Sequence, residues 1–358
     1  MLRLVSATFL AAGLLAAQDI THWIPVSTPK IEVAGLPWFQ ENHSEFWRLP
    51  ARSKDAFPKE VWELSLDPTG GRIRFRTNSS TVALRLEWPY PPGMRNMQAF
   101  GQSGVDLYVR NAYWGTATPD KYAVAGKIYE HVYFKGQLRV MRDITFYLSL
   151  YSPVKVLEIG LDKDAAIESP TPFALAAPLV FYGTSITQGG CASRPAMSYQ
   201  AILGRLLNLD HVNLGFSGAG KGEAAVARAV AEIDAAAFVL DFAQNNGNVD
   251  SLAQVYDPFI GILRERHPDT PIVAITPIYS ATETTTDGHG LEQMRALIRK
   301  VVSRRIAAGD THLQLVEGTD LLGPSRADGL VDGTHVNDLG FQWMAEGLAE
   351  RLRKVLGL

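Results

Sequence analysis

The period of the hydrophobic pattern changes part-way along this chain, and that change constrains the fold more than any other feature. From Asp19 to about Ile167 apolar residues recur mostly at every second position. Arg72-Ile-Arg-Phe-Arg alternates charge with apolar side chains, Val82, Leu84 and Leu86 alternate with Ala83, Arg85 and Glu87, and Ile144, Phe146, Leu148 and Leu150 share one face. Such alternation buries one side of an antiparallel sheet, and short strands parted by Gly, Pro and Asn turns predict an all-β sandwich of jelly-roll type over residues 18–168. Past Pro178, strands alternate with helices instead. Apolar runs at Leu179–Tyr182, Val212–Leu214, Phe238–Phe242, Ile272–Ile275 and His312–Val316 predict five strands, with helical spacing between them, as in Tyr199, Ile202, Leu203 and Leu206. That order predicts an α/β unit over residues 179–358, a parallel sheet covered on both faces. Between the two units, Pro170, Pro172 and Pro178 break both periods, so residues 169–178 read as a stiff linker.

A chain of 358 residues is long enough for two cores. Met1–Ala17 has one positive charge, Arg3, an apolar run from Leu4 to Leu15, and then small residues, Ala16 and Ala17. This is the layout of a secretory signal peptide and is too short for a comfortable membrane span, so an exported, soluble mature protein is expected. The net charge is −3 with no Lys or Arg cluster, which argues against nucleic acid or stable membrane insertion. One cysteine, Cys191, allows no intramolecular disulfide, so the cores must hold the fold. Six of the seven tryptophans precede the linker, where a sheet face could stack them on sugar rings but a sandwich core is the expected place.

Ligands of open parallel sheets gather outside the carboxyl ends of the strands. Ser185, in Phe181-Tyr-Gly-Thr-Ser-Ile-Thr-Gln-Gly189, follows the first strand in a turn that leads to a helix expected after Pro195. Gly215-Phe-Ser-Gly218 follows the second strand and Gln244-Asn245-Asn246-Gly247 the third; Asp332-Gly-Thr-His335 lies between the last strand and the last helix. Acyl transfer needs a nucleophile, a base, a carboxylate that orients the base, and donors for an oxyanion. Ser185 suits the first role and His335 the second, because Asp332, three residues earlier on a glycine-containing turn, can reach one imidazole nitrogen. The backbone N–H groups of Ser185 and Gly218, with the Asn245 amide, suit the oxyanion.

These motifs resemble those of the SGNH hydrolases, also called the GDSL esterase family. The resemblance implies a flavodoxin-like fold, Ser185 as nucleophile, Gly218 and Asn245 as oxyanion residues, and Asp332 with His335 as the terminal Asp-x-x-His. Gly104-Val-Asp-Leu-Tyr108 and Gly189-Gly-Cys-Ala-Ser-Arg-Pro195 look like the bacterial members that carry a β-sandwich ahead of the hydrolase unit. Two positions depart from the family pattern. Thr184 stands where the name-giving Asp would be, and Ala243-Gln-Asn-Asn246 replaces Gly-x-Asn-Asp, so Gln244 or Asn246 could supply the amide in place of Asn245.

Arg194 could bind substrate or form a salt bridge at a helix entry. Cys191 reads as a small buried thiol, and Asp287 with His289 lacks a ligand set with metal spacing, so neither metal nor cofactor is assigned. Residues 279–290, rich in Thr, Ser and Gly, form the longest connection without predicted structure and could face substrate. The expectation is an exported serine esterase that removes small acyl groups, acetyl first, from an acylated small molecule or glycan. The alternatives are a lipase or lysophospholipase, which the small polar loops disfavour, and an inactive sugar-binding protein.

Overall fold

The computed structural model describes residues 22–284 and 289–358. Met1–Ala17, expected as a leader, and Asp287 lie outside the described residues, as does the His289 side chain.

The period-two half forms two antiparallel sheets. One has the strand order His22–Pro25, Lys155–Leu161, Val82–Glu87, Ile128–Phe134; the other centres on Arg72–Thr77, Arg142–Tyr147 and Val105–Val109. Leu84, Leu86 and Ile159 of the first meet Ile73, Phe75, Leu107, Ile144 and Phe146 of the second in one core. Alternating residues thus supply the two inner faces of a sandwich.

The second half is a five-stranded parallel sheet in the order His211–Gly215, Leu179–Gly183, Ala237–Asp241, Ile272–Ile275, Leu313–Val316. Counted along the chain this is 2-1-3-4-5, the flavodoxin-like order, whose reversal point lies between the first and third strands. All five residues of Leu179–Gly183 are buried, as a strand covered on both faces must be. Gly183 ends it because a Cβ there would lie 2.0 Å from Thr187 Oγ1 and 2.5 Å from Asp241 O.

Local structure differs from expectation at three places. Ser185 itself opens a four-residue helix, Ser185–Gln188, because the Thr184 hydroxyl caps it by accepting from Ile186 N–H at 3.2 Å. After Pro195 comes a 3₁₀ turn, Pro195–Met197, and the next helix starts at Tyr199. Within the long connection, Ala281–Thr284 is a 3₁₀ turn and the following helix begins at His289.

The tryptophans divide in a way periodicity does not show. Trp88 is in the sandwich core, but Trp38 and Trp62 join the core of the parallel sheet with Val180, Tyr182, Val226 and Val230, and Trp47 packs against them. Trp114 is 41% exposed and donates to Tyr133 O at 3.0 Å. Before the sandwich strand Arg72–Thr77 the chain thus serves both cores: Leu49, Phe57 and the helix Lys59–Ser65 pack into that of the α/β unit, while Leu36, Phe39 and Phe46 pack into that of the sandwich. No helix among the described residues is long and apolar enough to cross a membrane.

Asp241, at the end of the third parallel strand, is buried, with Thr187 Oγ1 (3.3 Å) and Tyr199 OH (3.4 Å) donating to its side chain. Burial pushes its pKa up to about 7, against the pull of those two hydrogen bonds. Below pH 3.8 both folded and unfolded chains hold this proton. Between that and about 7 only the unfolded chain releases it, so this group lowers stability as pH rises through the window and is constant above it. Asp241→Asn is therefore expected to be the more stable protein at pH 8, by an upper bound of about 4 kcal/mol, with little difference at pH 4. Melting temperatures of both proteins across this range check it; parallel curves would refute it.

Candidate active site

The end of the first parallel strand and the turn before the last helix bring together residues far apart in sequence. Ser185 Oγ lies 3.0 Å from His335 Nε2, and His335 Nδ1 lies 2.8 Å from Asp332 Oδ2. Asp332 also accepts the backbone N–H groups of His335 (2.8 Å) and Thr334 (3.1 Å) on Oδ1, and the Asn96 amide (2.9 Å) on Oδ2. Partial burial works to raise its pKa, but these donors outweigh it and hold the carboxyl far below the usual carboxylate range. An ionised carboxylate only accepts, so the imidazole carries its proton on Nδ1 and offers the Nε2 lone pair to the Ser185 hydroxyl. Side chains of His335 and Asp332 are 28% and 34% exposed, so the centre is open to water.

The turn carrying Asp332 and His335 is short enough to be set locally. Gly333 has φ +83, a left-handed position that suits glycine. Neighbouring loops brace it, with Ser280 Oγ and Ala281 N both donating to Gly333 O (3.0 and 2.7 Å). Arg295, nearly buried, holds that loop through two 2.7 Å bonds to Glu283 and further bonds to Pro277 O and Ile278 O.

Among the residues expected to hold an oxyanion, Gly218 has φ +68, and a Cβ there would meet nothing within 4 Å, so its backbone faces open space. Neither Ser185 nor Gly218 gives its backbone N–H to another described group. Asn245 is placed differently from the expected free amide. Its Nδ2 donates to Phe216 O (2.9 Å) and Gly220 O (3.1 Å), which holds it on the loop that carries Gly218. Asn246 is buried with its amide 3.4 Å from Phe242 O, and Gln244 buries its Oε1 with no hydrogen-bond partner among the described residues.

Arg194 is drawn away from the centre, onto the Gly104-Val-Asp-Leu-Tyr108 stretch. It donates to Asp106 Oδ2 (3.1 Å) and Tyr108 OH (2.8 Å) and lies 3.9 Å from the centroid of the Tyr113 ring. The buried Asp106 also accepts Ala196 N–H (2.9 Å) and Thr116 Oγ1 (2.6 Å), so one carboxylate ties the loop after Ser185 to the sandwich. The salt bridge at this helix entry thus has its partner in the other half of the chain. Cys191 is a buried thiol whose pKa burial pushes up to about 12, with the Asp332 charge adding to the effect. Among the described residues, no three His, Cys, Asp or Glu side chains gather as a metal ion would require.

A family model of GDSL-like lipases and acylhydrolases matches residues 176–353, and a model of the GxDLY N-terminus of SGNH-hydrolase-type esterases matches residues 21–167. A Bacteroides ovatus protein described as a GDSL-like lipase is 30% identical, with a TM-score of 0.84 over 94% of this chain and 98% of its own. The chain belongs to the GDSL-like lipase/acylhydrolase family. It is a carboxylic ester hydrolase of that family. Two further solved structures share the fold at lower identity. A salicylyl-acyltransferase from a tetracycline biosynthetic pathway is 22% identical, with TM-score 0.80 over 95% of this chain and 98% of its own. A family two carbohydrate esterase from Clostridium thermocellum, in complex with cellohexaose, is 16% identical, with TM-score 0.62 over 81% of this chain and 93% of its own. No curated protein gives a significant match.

Four polar residues that this GDSL-like hydrolase places around the centre were not singled out from sequence. Gln188, on the short Ser185 helix, accepts Ser217 N–H on Oε1 (2.9 Å) and donates to Leu150 O (3.1 Å) and Asp67 Oδ2 (3.3 Å). Arg48 is wholly buried beneath the Phe216 ring and donates to Gly215 O (2.6 Å), Leu64 O (2.6 Å), Asp67 O (2.8 Å) and Asn213 O (3.2 Å). Burial draws its pKa down to about 10, with the nearby Asp67 charge opposing. Tyr151 OH donates to Ser185 O at 3.0 Å, and Asn96 reaches Asp332. Only Gln188 lay within a motif that could have suggested it; the other three come from the antiparallel half and carry no local signal.

Proposed function

We propose that Ser185, His335 and Asp332 act as a catalytic triad in an exported esterase that removes small acyl groups, acetyl first, from carbohydrates. The observation that carries this reading is the continuous relay of 3.0 Å from Ser185 Oγ to His335 Nε2 and 2.8 Å from His335 Nδ1 to Asp332. As Ser185 Oγ bonds to the ester carbonyl carbon, its proton passes to His335 Nε2, and Asp332 stabilises the imidazolium. The Ser185 and Gly218 N–H groups donate to the tetrahedral oxyanion, and Asn245 joins them by exchanging one of its two carbonyl partners. Collapse breaks the bond to the alcohol oxygen, which takes the proton from His335. Water then gives a proton to His335 and attacks the acyl-enzyme, which releases the acid and restores Ser185.

Openness of the centre to water suits a small acyl group on a bulky alcohol better than a long acyl chain, which needs an apolar channel. The structural neighbour described as a carbohydrate esterase supports a sugar alcohol. A release assay over acetylated monosaccharides, acetylated glycans and phospholipids, run with the wild type and Ser185→Ala, tests the reading. Acetate release from the sugars by the wild type alone is expected; release of fatty acid from phospholipid in preference would overturn it.

A further inference from the structure

The triad and the oxyanion loop all lie after residue 178, yet polar side chains from the antiparallel half reach both ends of the centre. At the carboxylate end, Asn96 Nδ2 donates to Asp332 Oδ2, the same oxygen that faces His335 Nδ1. Asn96 sits on an irregular loop, but the loop is held at several points. Met97 is buried in the core of the α/β unit with Ile186 and Cys191, and Gln102 Oε1 accepts the N–H groups of Gly93 (2.8 Å) and Met94 (3.0 Å). At the nucleophile end, Tyr151 OH donates to the carbonyl of Ser185 itself, and its backbone N–H is bound to Gln102 O at 2.9 Å. One glutamine, Gln102, therefore supports both the Asn96 loop and the Tyr151 segment. Arg48 adds a third reach, under the strand end that leads into Gly218.

We propose that the sandwich half completes the active centre, with Asn96 a positioning residue for Asp332 and Tyr151 a positioning residue for the Ser185 turn. This rests on the triad reading above. Asn96 gives Asp332 Oδ2 a second donor and so fixes the carboxylate plane that orients the imidazole. Tyr151 fixes the peptide following Ser185 and thereby the direction of Oγ and of the Ser185 N–H. Each acts through a residue of the triad, Asp332 or Ser185, so their loss should reduce kcat and leave KM near its original value.

Four full-length variants test this against p-nitrophenyl acetate. Asn96→Ala removes the donor, and Asn96→Asp keeps the shape while placing a like charge against Asp332. Both are expected to lower kcat about 10–100-fold, the Asp variant more, with KM within about twofold. The downfield proton resonance of His335 Nδ1–H should shift or broaden in both while the melting temperature stays within a few degrees. Tyr151→Phe keeps the ring and removes only the hydroxyl, and is expected to lower kcat about 5–10-fold. Wild-type kcat in both Asn96 variants, or a loss that follows the melting temperature with an unchanged resonance, overturns the assignment of Asn96. Wild-type kcat in Tyr151→Phe overturns that of Tyr151. The fourth variant, Asp332→Asn, separates the two levels: if it keeps turnover the triad reading fails, and if it is inactive while the others are unaffected only this inference fails.

Discussion

Ser185→Ala is expected to lower kcat for p-nitrophenyl acetate by at least about 10⁴-fold while the protein stays folded. The size follows from what the hydroxyl does. In the proposed mechanism its oxygen forms the covalent bond to the acyl group, and among the described residues no second nucleophile is activated nearby. Cys191 is buried, and its pKa, pushed up to about 12, leaves almost no thiolate at neutral pH. The His335 imidazole could still activate water directly, which limits the loss to the advantage of an intramolecular nucleophile and the covalent route. Stability should hardly change, because Oγ makes a single hydrogen bond, to a half-buried histidine, and a bond of that kind contributes about 1 kcal/mol. Initial rates beside a thermal melt check the pair of expectations. Full turnover in a folded Ser185→Ala protein would show that another group forms the acyl-enzyme, or that none forms.

Asp332→Asn should cost about 10³–10⁴-fold in kcat with KM little changed. The carboxylate accepts four bonds at once: the imidazole N–H, two backbone N–H groups and the Asn96 amide. An asparagine has one acceptor oxygen and a donor NH₂. If the oxygen stays on the backbone N–H groups of Thr334 and His335, the NH₂ faces both His335 Nδ1 and the Asn96 amide. The imidazole then holds its proton on Nε2, which is where the Ser185 proton must go. Charge is lost as well, so the imidazolium that forms in the transition state has no counter-ion. The backbone of the turn should persist, because Gly333 and the Ser280 and Ala281 bonds to it are untouched. Steady-state kinetics, with a crystal structure of the variant to show the turn in place, decide the matter. An unchanged kcat would remove Asp332 from the mechanism.

Much of the architecture could be read along the chain because it depends on short-range pattern. Arg72-Ile-Arg-Phe-Arg and Val82–Glu87 alternate as strands with one buried face, and both are strands in the sandwich. The apolar Leu179–Gly183 and Ile272–Ile275 runs are fully buried parallel strands. Boundaries shifted where a single side chain decides them: Thr184 caps a helix that starts at Ser185, a choice made by one hydroxyl that apolar spacing does not register.

The partnership of Asp332 with His335 lies within three residues on a glycine turn, so its spacing is a local property. The approach of Ser185 to His335 crosses 150 residues, a contact of the kind that parallel α/β sheets allow by delivering their strand ends to one edge. What no local pattern contained was the traffic between the two halves. Trp38 and Trp62 are apolar in either core, and their sequence does not say which one buries them. Arg194 stands nine residues after Ser185, close enough to suggest substrate, and its partners Asp106 and Tyr108 are 88 and 86 residues away. Asn96 is a polar residue in an irregular loop, 236 residues from the carboxylate it contacts.

By itself the sequence determined two periods, hence two kinds of sheet, and a serine, a histidine and an aspartate placed beyond the strands of the second. Periodicity reports whether a side chain is buried, because burial repeats with the backbone; it does not report against what. The tertiary structure alone decided that Tyr151 reaches Ser185, Asn96 reaches Asp332 and Arg48 lies under Gly215, since those contacts exist only once two separately patterned surfaces are pressed together.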